Sequence, residues 1–289
     1  MKTMNIIGAG HVGQTLGRLW TKERALELGD VVNSSVESAQ VAVDFMQAGR
    51  ALSDVREMQY ADLFLVGCPD SYIEECCQAL VESEVLKRGD IVFHCSGALS
   101  SELLKSAQEQ GAYTASLHPV KSFSEPARAV QQFAGTYCGV EGDEEAVRVL
   151  HQLIENIGGL PFSIDPQHKA IYHSASVMAC NYLVALQEVS LQALIKSGVQ
   201  RGQAMQILHP LVAGTVSNIF EQGTADALTG PIARGDHEVV KVQLEALQDW
   251  QPDIAKLYKQ LGAETVKLSQ QQGKALAADL GDIERLLKN

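Results

Sequence analysis

Short apolar runs alternate with amphipathic stretches over the first 165 residues of the chain. The runs that predict strands lie near residues 4–7, 61–67, 90–95, 112–117 and 136–140, and a further strand ends near residues 31–33. Apolar residues at helical spacing fill the segments between them, and polar capping residues precede several of these segments. Alternation of this kind predicts an α/β fold with a doubly wound parallel sheet.

The pattern changes near Asp165-Pro166, after which only helical periodicity is found. The predicted helices cover about 167–197, 201–222, 237–250 and 252–272, followed by a short helical tail over the last 17 residues. The first of them is apolar on several faces, which predicts a central buried helix. We therefore expect an α/β domain at residues 1–163 and an all-helical domain at 164–289, packed tightly with a substrate cleft between them.

Composition and charge narrow the classes of partner. The 289 residues include 46% hydrophobic and 20% charged residues, and the net charge is −12. A strong negative charge argues against nucleic acid and anionic membranes as partners. No run approaches the ~18–20 apolar residues that cross a bilayer, and the chain opens directly on a predicted strand. We expect a cytoplasmic protein.

The six cysteines lack the paired spacing of a zinc site, and no metal site is predicted. They lie mostly in apolar runs, so we expect buried, reduced thiols. A redox role for the vicinal pair Cys76-Cys77 is the alternative.

The most informative motif is the glycine-rich turn after the first strand, Gly8-Ala9-Gly10-His11-Val12-Gly13. In a dinucleotide-binding βαβ unit the first glycine permits the turn, the second admits a pyrophosphate, and the third lets helix and strand pack closely. The following helix presents free N–H groups and a partial positive charge to the phosphates. The predicted cofactor contacts here are Gly8, Ala9, Gly10, His11, Val12 and Gly13. A tight turn in another α/β fold is the alternative.

The end of the second predicted strand bears on the cofactor. NAD sites usually carry an acidic residue there, about 20 residues beyond the glycines, whereas this chain has Asn33-Ser34-Ser35. Small amide and hydroxyl donors suit a 2′-phosphate, so Asn33, Ser34 and Ser35 favour NADP over NAD. The alternative is that the serines cap the next helix.

Three further strand ends carry candidate residues. Cys68 and Pro69 follow the buried run 61–67, and Ser96 and Gly97 follow 90–95, at the edge along which a bound dinucleotide would pass. We predict that all four contact the cofactor. His118 follows the next strand in a stiff His-Pro pair, where it would contact substrate or cofactor; a core histidine is the alternative.

The helical half adds a second set of candidates. Lys169, His173 and Ser176 share one face of the first long helix because their spacings are four and three. A lysine so placed can give a proton to a carbonyl or imine as a hydride arrives; a solvated helix end is the alternative for Lys169. Lys169, His173 and His118 are the predicted catalytic residues.

The predicted substrate contacts lie further along this half. Asn181 lies one to two turns beyond Ser176, and the loop Leu228–Asp236 concentrates Gly, Pro and charged residues. Loops with such demanding backbone geometry often contribute to sites. We predict that Asn181, Thr229, Arg234 and Asp236 contact substrate, although Asp236 would equally cap the next helix and pair with Arg234.

Five segments together resemble one widespread bacterial group: GAGHVGQTLGRL, CSGALSS, SLHPVKSF, KAIYHSASVMACNYLVAL and LTGPIARGD. Its members join an N-terminal Rossmann-like NADP-binding domain to a C-terminal helical domain of unknown function. The architecture is also similar to pyrroline-5-carboxylate reductase, ketopantoate reductase and the β-hydroxyacid dehydrogenases. The resemblance implies a helical domain like the C-terminal domain of 6-phosphogluconate dehydrogenase, an NADP(H)-dependent oxidoreductase, a catalytic lysine at Lys169 and a homodimer. His173 departs from the latter two families, which have Asn at that position.

We therefore expect an NADP-dependent oxidoreductase acting on a small carbonyl or imine substrate. Two other classes remain open: a non-catalytic NADP(H) sensor, for which the altered Lys-x-x-x-His pattern argues, and a deazaflavin-dependent reductase. Turnover of a panel of substrates would distinguish an enzyme from a sensor. Measuring which reduced cofactor binds would distinguish an NADP-dependent from a deazaflavin-dependent reductase.

Overall fold

The computed structural model describes residues 1–288 and divides into two compact units, with the boundary after Cys180. The predicted boundary at 163/164 marks the end of the last strand, whereas the first unit also includes the beginning of the long helix. The strands are β1 Thr3–Ile7, β2 Glu27–Val32, β3 Arg50–Leu52, β4 Leu63–Val66, β5 Ile91–His94, β6 Tyr113–Pro119, β7 Tyr137–Gly142 and β8 Leu160–Ser163. The helices are α1 His11–Lys22, α2 Val36–Met46, α3 Ile73–Glu82, α4 Lys105–Glu109, α5 Pro126–Gln131, α6 Glu144–Glu155, α7 Lys169–Lys196, α8 Arg201–Gln222, α9 Pro231–Arg234, α10 His237–Trp250, α11 Pro252–Gln272 and α12 Ala277–Lys288.

The first unit is built on one eight-stranded sheet in the order β3-β2-β1-β4-β5-β6-β7-β8. Strands β1 to β6 run parallel, and β1 and β4 are buried apart from Thr3 at the start of β1. Apolar residues of α1, α2 and α6 cover one face, and those of α3 and α4 cover the other. Burial on both faces explains why these strands read as continuous apolar runs, and the predicted doubly wound α/β sheet is confirmed.

The far edge of the sheet differs from the prediction. Strand β7 runs antiparallel to β6, with Leu117 opposite Val140, and β8 pairs parallel to β7. Neither β8 nor the three-residue β3 was predicted, because both are short, and β8 contains Pro161 on an edge where a strand tolerates proline.

The described residues of the second unit form helices joined by turns and no strand, as predicted. Helices α10, α11 and α12 enclose an apolar core that includes Val240, Val266 and Ile283. The one additional helix within the described residues of this unit is α9, a single turn inside the predicted loop.

Helix α7 is not the buried central helix that its composition predicted. Most of its residues are exposed, among them Ile171, Met178, Tyr182 and Val184. By length and hydropathy alone the segment 166–196 would cross a membrane, contrary to the expectation that no such run exists, although one helix of this kind is weak evidence. Several of its apolar residues are therefore left uncovered in a single chain.

The cysteines also differ in part from the prediction. All six are free, but only Cys77 and Cys138 are buried, and Cys180 is exposed because it lies on α7.

Candidate active site

The glycine-rich turn has the geometry of a phosphate-binding loop. Gly8 has a φ of +88°, and a Cβ there would lie 2.5 Å from the Cys68 backbone nitrogen. This turn therefore requires glycine. A Cβ on Gly10 would meet nothing within 4 Å, so the turn is open on that side, while one on Gly13 would be in ordinary contact, 3.5 Å from the Gly8 carbonyl oxygen.

The start of α1 is free to receive an anion. Gly10 precedes the helix, and no side chain caps it. The first N–H groups of a helix have no partner within the helix, and the helix dipole favours a negative charge beside them. Val12 packs against the core, and His11 Nδ1 lies 2.7 Å from the Phe123 carbonyl oxygen, which ties α1 to the segment after β6. An open turn in front of an uncapped helix fits the pyrophosphate of a dinucleotide.

The three polar residues after β2 have different tasks. The Asn33 amide oxygen accepts a hydrogen bond of 2.6 Å from the Ala9 N–H, which holds the glycine-rich turn against β2. The Ser35 hydroxyl accepts from the Ser38 N–H and caps α2, as the alternative reading of this pair proposed. Ser34 is exposed, and its hydroxyl makes no hydrogen bond within residues 1–288.

The ends of β4 and β5 lie beside the turn. The Cys68 backbone faces Gly8, and Pro69 begins the short 3₁₀ turn Asp70–Tyr72. The Ser96 hydroxyl donates to Asp70 at 2.8 Å and accepts from the Leu99 N–H at 3.0 Å. The Ser96 hydroxyl therefore stabilises the loop through these two hydrogen bonds. Its neighbour Gly97 has only backbone groups with which to contact a ligand.

Two imidazole rings pack against Gly97, and a tyrosine contacts one of them. His118 Nδ1 lies 2.8 Å from the Tyr172 hydroxyl, and the His118 and His173 rings are edge to face with centroids 5.5 Å apart. A Cβ on Gly97 would lie 2.8 Å from His118 Nε2 and would also overlap His173 Nδ1. We call His118, Tyr172 and His173 the imidazole cluster. It meets the loop at the carboxyl end of β5, the edge along which parallel sheets bind dinucleotides.

Burial sets the protonation of the cluster. It lowers the pKa of His118 to about 4, assisted by the charges of His173 and Lys169, and it raises the pKa of Tyr172 to about 12. His118 is therefore neutral near pH 7 and Tyr172 keeps its proton. His173 Nδ1 is buried without a hydrogen-bond partner among residues 1–288.

Lys169 lies beneath the cluster and is not a solvated helix end. Its side chain is 1% exposed, and its Nζ lies 3.1 Å from Glu141 Oε1 and donates to the Ser116 hydroxyl. Glu141 also accepts from the Ser101 N–H at 2.9 Å and from its hydroxyl at 2.8 Å. Burial lowers the pKa of the Lys169 ammonium, and the Glu141 carboxylate opposes that shift. The predicted residues Lys169, His173 and His118 thus occur together, but Lys169 faces a buried carboxylate.

The predicted substrate residues belong to the second unit. Thr229 and Arg234 line a cavity of about 460 Å³ together with Gln272 and Lys274. Asp236 caps α10 by accepting from the Val239 N–H, and it forms no ion pair with Arg234. Asn181 is exposed on α7.

Two residues of the site, Glu141 and Tyr172, were not predicted from the sequence. Glu141 lies in β7, and the only signal is a charged residue in the otherwise apolar strand Tyr137–Gly142. Tyr172 lies three residues after Lys169 and reads as one more apolar position of α7. Only the fold brings either residue to its partner.

Comparison with known proteins agrees with this architecture. Residues 2–119 match the model of a Rossmann-like domain, and residues 136–265 match a domain of unknown function, DUF2520. No curated protein matches the sequence.

Solved structures share the fold over nearly the whole chain. The Thermotoga maritima protein TM1727 is 27% identical, with a TM-score of 0.75 over 93% of this chain and 99% of that one. A candidate NADP oxidoreductase from Bacteroides fragilis is 21% identical, with a TM-score of 0.72 over 93% and 98%. The pyrroline-5-carboxylate reductase of Coxiella burnetii is 15% identical, with a TM-score of 0.60 over 99% and 98%. At these low identities the last two show a common fold.

The resemblance drawn from the five sequence motifs is thereby confirmed: this chain joins a region that matches a Rossmann-like domain to a region that matches the DUF2520 domain.

Proposed function

We propose that this protein is an NADP-dependent oxidoreductase that transfers a hydride to or from a small carbonyl or imine substrate. One observation carries the proposal: the open glycine-rich turn before α1 and the imidazole cluster around Gly97 lie at the carboxyl edge of the same parallel sheet. The first suits a pyrophosphate and the second suits proton transfer. The oxidoreductases among the structural neighbours support the same reading.

Different residues of the chain would bind the cofactor and transfer the proton. The N–H groups at the start of α1 hold the pyrophosphate, while the backbone at Cys68, Pro69 and Gly97 lines the path toward the nicotinamide. A bound reduced nicotinamide supplies the hydride. The chain positions the substrate and provides the proton, for which Lys169, His173 and His118 are the candidates.

The preference for NADP rests on the end of β2. An acidic residue there would accept from a ribose 2′-hydroxyl and repel a 2′-phosphate. This chain has Asn33 and Ser34 instead, and the exposed Ser34 hydroxyl is free to donate to a phosphate.

The substrate class follows from chemistry and from one neighbour. A group that gives a proton beside a hydride acceptor serves C=O and C=N bonds alike. Pyrroline, named in the Coxiella burnetii enzyme, is a cyclic imine. We propose Thr229 and Arg234 as substrate contacts, because they line one cavity and Arg234 forms no ion pair within residues 1–288. Asn181 and Asp236 are proposed with them on their sequence positions alone.

The proposal includes a homodimer. Helix α7 leaves Met178, Tyr182 and Val184 exposed, and α8 does the same with Leu211 and Phe220. Apolar patches of this extent on a monomer mark an interaction surface. A second copy of the chain, presenting the same two helices, offers a matching apolar surface.

A sensor of NADP(H) is the second candidate function. The observation in its favour is the Lys169 ammonium, which is committed to Glu141 and Ser116 rather than exposed to a ligand. A protein of this kind would bind the cofactor tightly and reduce nothing.

A substrate panel separates the two functions. NADPH carrying deuterium at the transferred position is incubated with the protein and with 2-methyl-1-pyrroline, pyruvate or related imines and keto acids. We expect deuterium in at least one reduced product, detected by mass spectrometry, and no product with heat-denatured protein. Tight NADPH binding without label transfer to any member of the panel would favour the sensor.

A further inference from the structure

We infer that Tyr172 and His118 form the proton-delivering pair of the site and that Lys169 is a positioning residue, an assignment that rests on the proposed function. The juxtaposition that carries it is the 2.8 Å contact between the Tyr172 hydroxyl and His118 Nδ1, with His118 Nε2 directed at the Gly97 loop. The sequence resemblance would have given the proton to Lys169 instead.

Lys169 is unsuited to direct donation because its ammonium is enclosed. Its side chain is 1% exposed, and Glu141 and Ser116 take its hydrogen bonds. The Ser116 hydroxyl in turn donates to the Ser96 carbonyl oxygen at 3.4 Å. Lys169 therefore links β6 and β7 to the loop that carries Gly97, and its effect on a substrate passes through these groups.

The direction of the Tyr172–His118 hydrogen bond follows from the partners present. The Tyr172 hydroxyl has no other acceptor among residues 1–288, and burial keeps the phenol protonated. It therefore donates to His118 Nδ1. The neutral imidazole then carries its one proton on Nε2, on the side that faces Gly97.

The Tyr172–His118 pair supplies the proton that the reduction consumes. As the hydride adds to the carbon of a C=O or C=N bond, the π electrons move to the oxygen or nitrogen. That atom takes the proton from His118 Nε2, and the Tyr172 proton passes to His118 Nδ1 as the N–H bond breaks. The starting pair is restored when the Nδ1 proton returns to the Tyr172 oxygen and His118 Nε2 takes a proton from solvent, since His118 is only half-buried.

His173 completes the cluster by fixing its shape. Its ring stands edge to face with His118, and its Nδ1 has no partner among residues 1–288. A buried polar atom without a partner is costly, so a substrate polar group that reaches His173 Nδ1 would gain this hydrogen bond. Both imidazoles thus pack against the Gly97 backbone, where neither ring would leave room for a Cβ.

The chain offers a closely matched pair of variants. Tyr172→Phe removes the hydroxyl and keeps the ring that packs edge-on against Phe162, at a centroid distance of 6.1 Å. Tyr137 packs edge-on against the same Phe162 at 6.3 Å, and its hydroxyl forms no hydrogen bond within residues 1–288. Tyr137→Phe is therefore the control for loss of a phenol hydroxyl beside Phe162.

The first readout needs neither cofactor nor turnover. Long-range ¹H–¹⁵N spectra of the cofactor-free full chain report which imidazole nitrogen carries the proton. We expect the Nε2–H form of His118 in the wild type and in Tyr137→Phe, and a mixture of both forms in Tyr172→Phe. A wild-type His118 protonated on Nδ1, or a spectrum unchanged by Tyr172→Phe, overturns the pairing.

The second readout uses NADPH with 2-methyl-1-pyrroline as the probe. We expect Tyr172→Phe to lower kcat about 10²-fold, with KM and NADPH affinity changed less than about threefold, and Tyr137→Phe to match the wild type. An unchanged kcat in Tyr172→Phe overturns the assignment. If neither the wild type nor any variant reduces an imine or keto acid, the proposed function fails. The spectra still decide whether Tyr172 and His118 are paired.

Discussion

Replacing Lys169 by methionine is expected to lower the free energy of unfolding by about 3–5 kcal/mol, the range for breaking a buried ion pair by removing one partner. The remaining Glu141 carboxylate would be buried and would keep only the two hydrogen bonds from Ser101. Urea denaturation followed by circular dichroism measures the loss.

A second substitution tests the cause of this loss. Adding Glu141→Gln removes the uncompensated charge, and the double variant is expected to recover most of the stability, because neutral replacements of a buried pair are often tolerated. Lys267→Met is the matched control, because Lys267 pairs with Glu264 on an exposed helix face, and an exposed pair contributes about 0.3–0.5 kcal/mol. A loss below about 1 kcal/mol in Lys169→Met would mean that the pair is not buried as described.

The same double variant bears on the mechanism. If Lys169 acts by positioning, a folded Lys169→Met/Glu141→Gln chain keeps measurable turnover of the imine probe. If Lys169 donates the proton itself, restoring the fold does not restore turnover. The stability measurement and the rate measurement thus separate the two roles of this lysine.

Replacing Gly10 by valine is expected to weaken NADPH binding at least ~30-fold, about 2 kcal/mol, while leaving the fold intact. The backbone at Gly10 has a φ of −75°, which any residue adopts, and a Cβ there meets no protein atom within 4 Å. The valine side chain would therefore fill the space that the proposal gives to the pyrophosphate. Fluorescence titration with NADPH measures the change.

Two other glycines serve as references for this variant. Gly202→Val, in α8, places the same side chain where a Cβ also meets nothing, so its NADPH affinity should equal that of the wild type. Gly8→Ala should instead lower the melting temperature, because the positive φ and the Cys68 backbone leave no room for a Cβ. Equal NADPH affinity in Gly10→Val and the wild type would place the pyrophosphate elsewhere.

The elements with strong local signals could be predicted from the sequence. Helices α8, α10 and α11 begin and end where the pattern placed them, because a proline at Pro252 opens α11 and glycines at Gly223 and Gly273 close α8 and α11. The glycine-rich turn was equally clear, since its residues are adjacent in the chain.

The features that depend on distant partners could not be predicted. Glu141 lies 28 residues before Lys169, and only the pairing of β7 with β6 and the start of α7 bring the two together. The sequence therefore indicated a lysine suited to proton transfer, but it did not indicate the carboxylate that pairs with this lysine. The apolar faces of α7 predicted burial, but a helix covered by its own chain and one covered by a second chain have the same composition.

Calorimetric titration of the wild-type chain with NADPH and, separately, NADH tests the proposed dinucleotide site most directly. We expect one binding site per chain for NADPH, with NADH bound more weakly because Ser34 replaces the acidic residue that an NAD site would carry. Absence of binding for both nucleotides at millimolar concentration would contradict the dinucleotide site, and tighter binding of NADH would contradict the proposed preference for NADP.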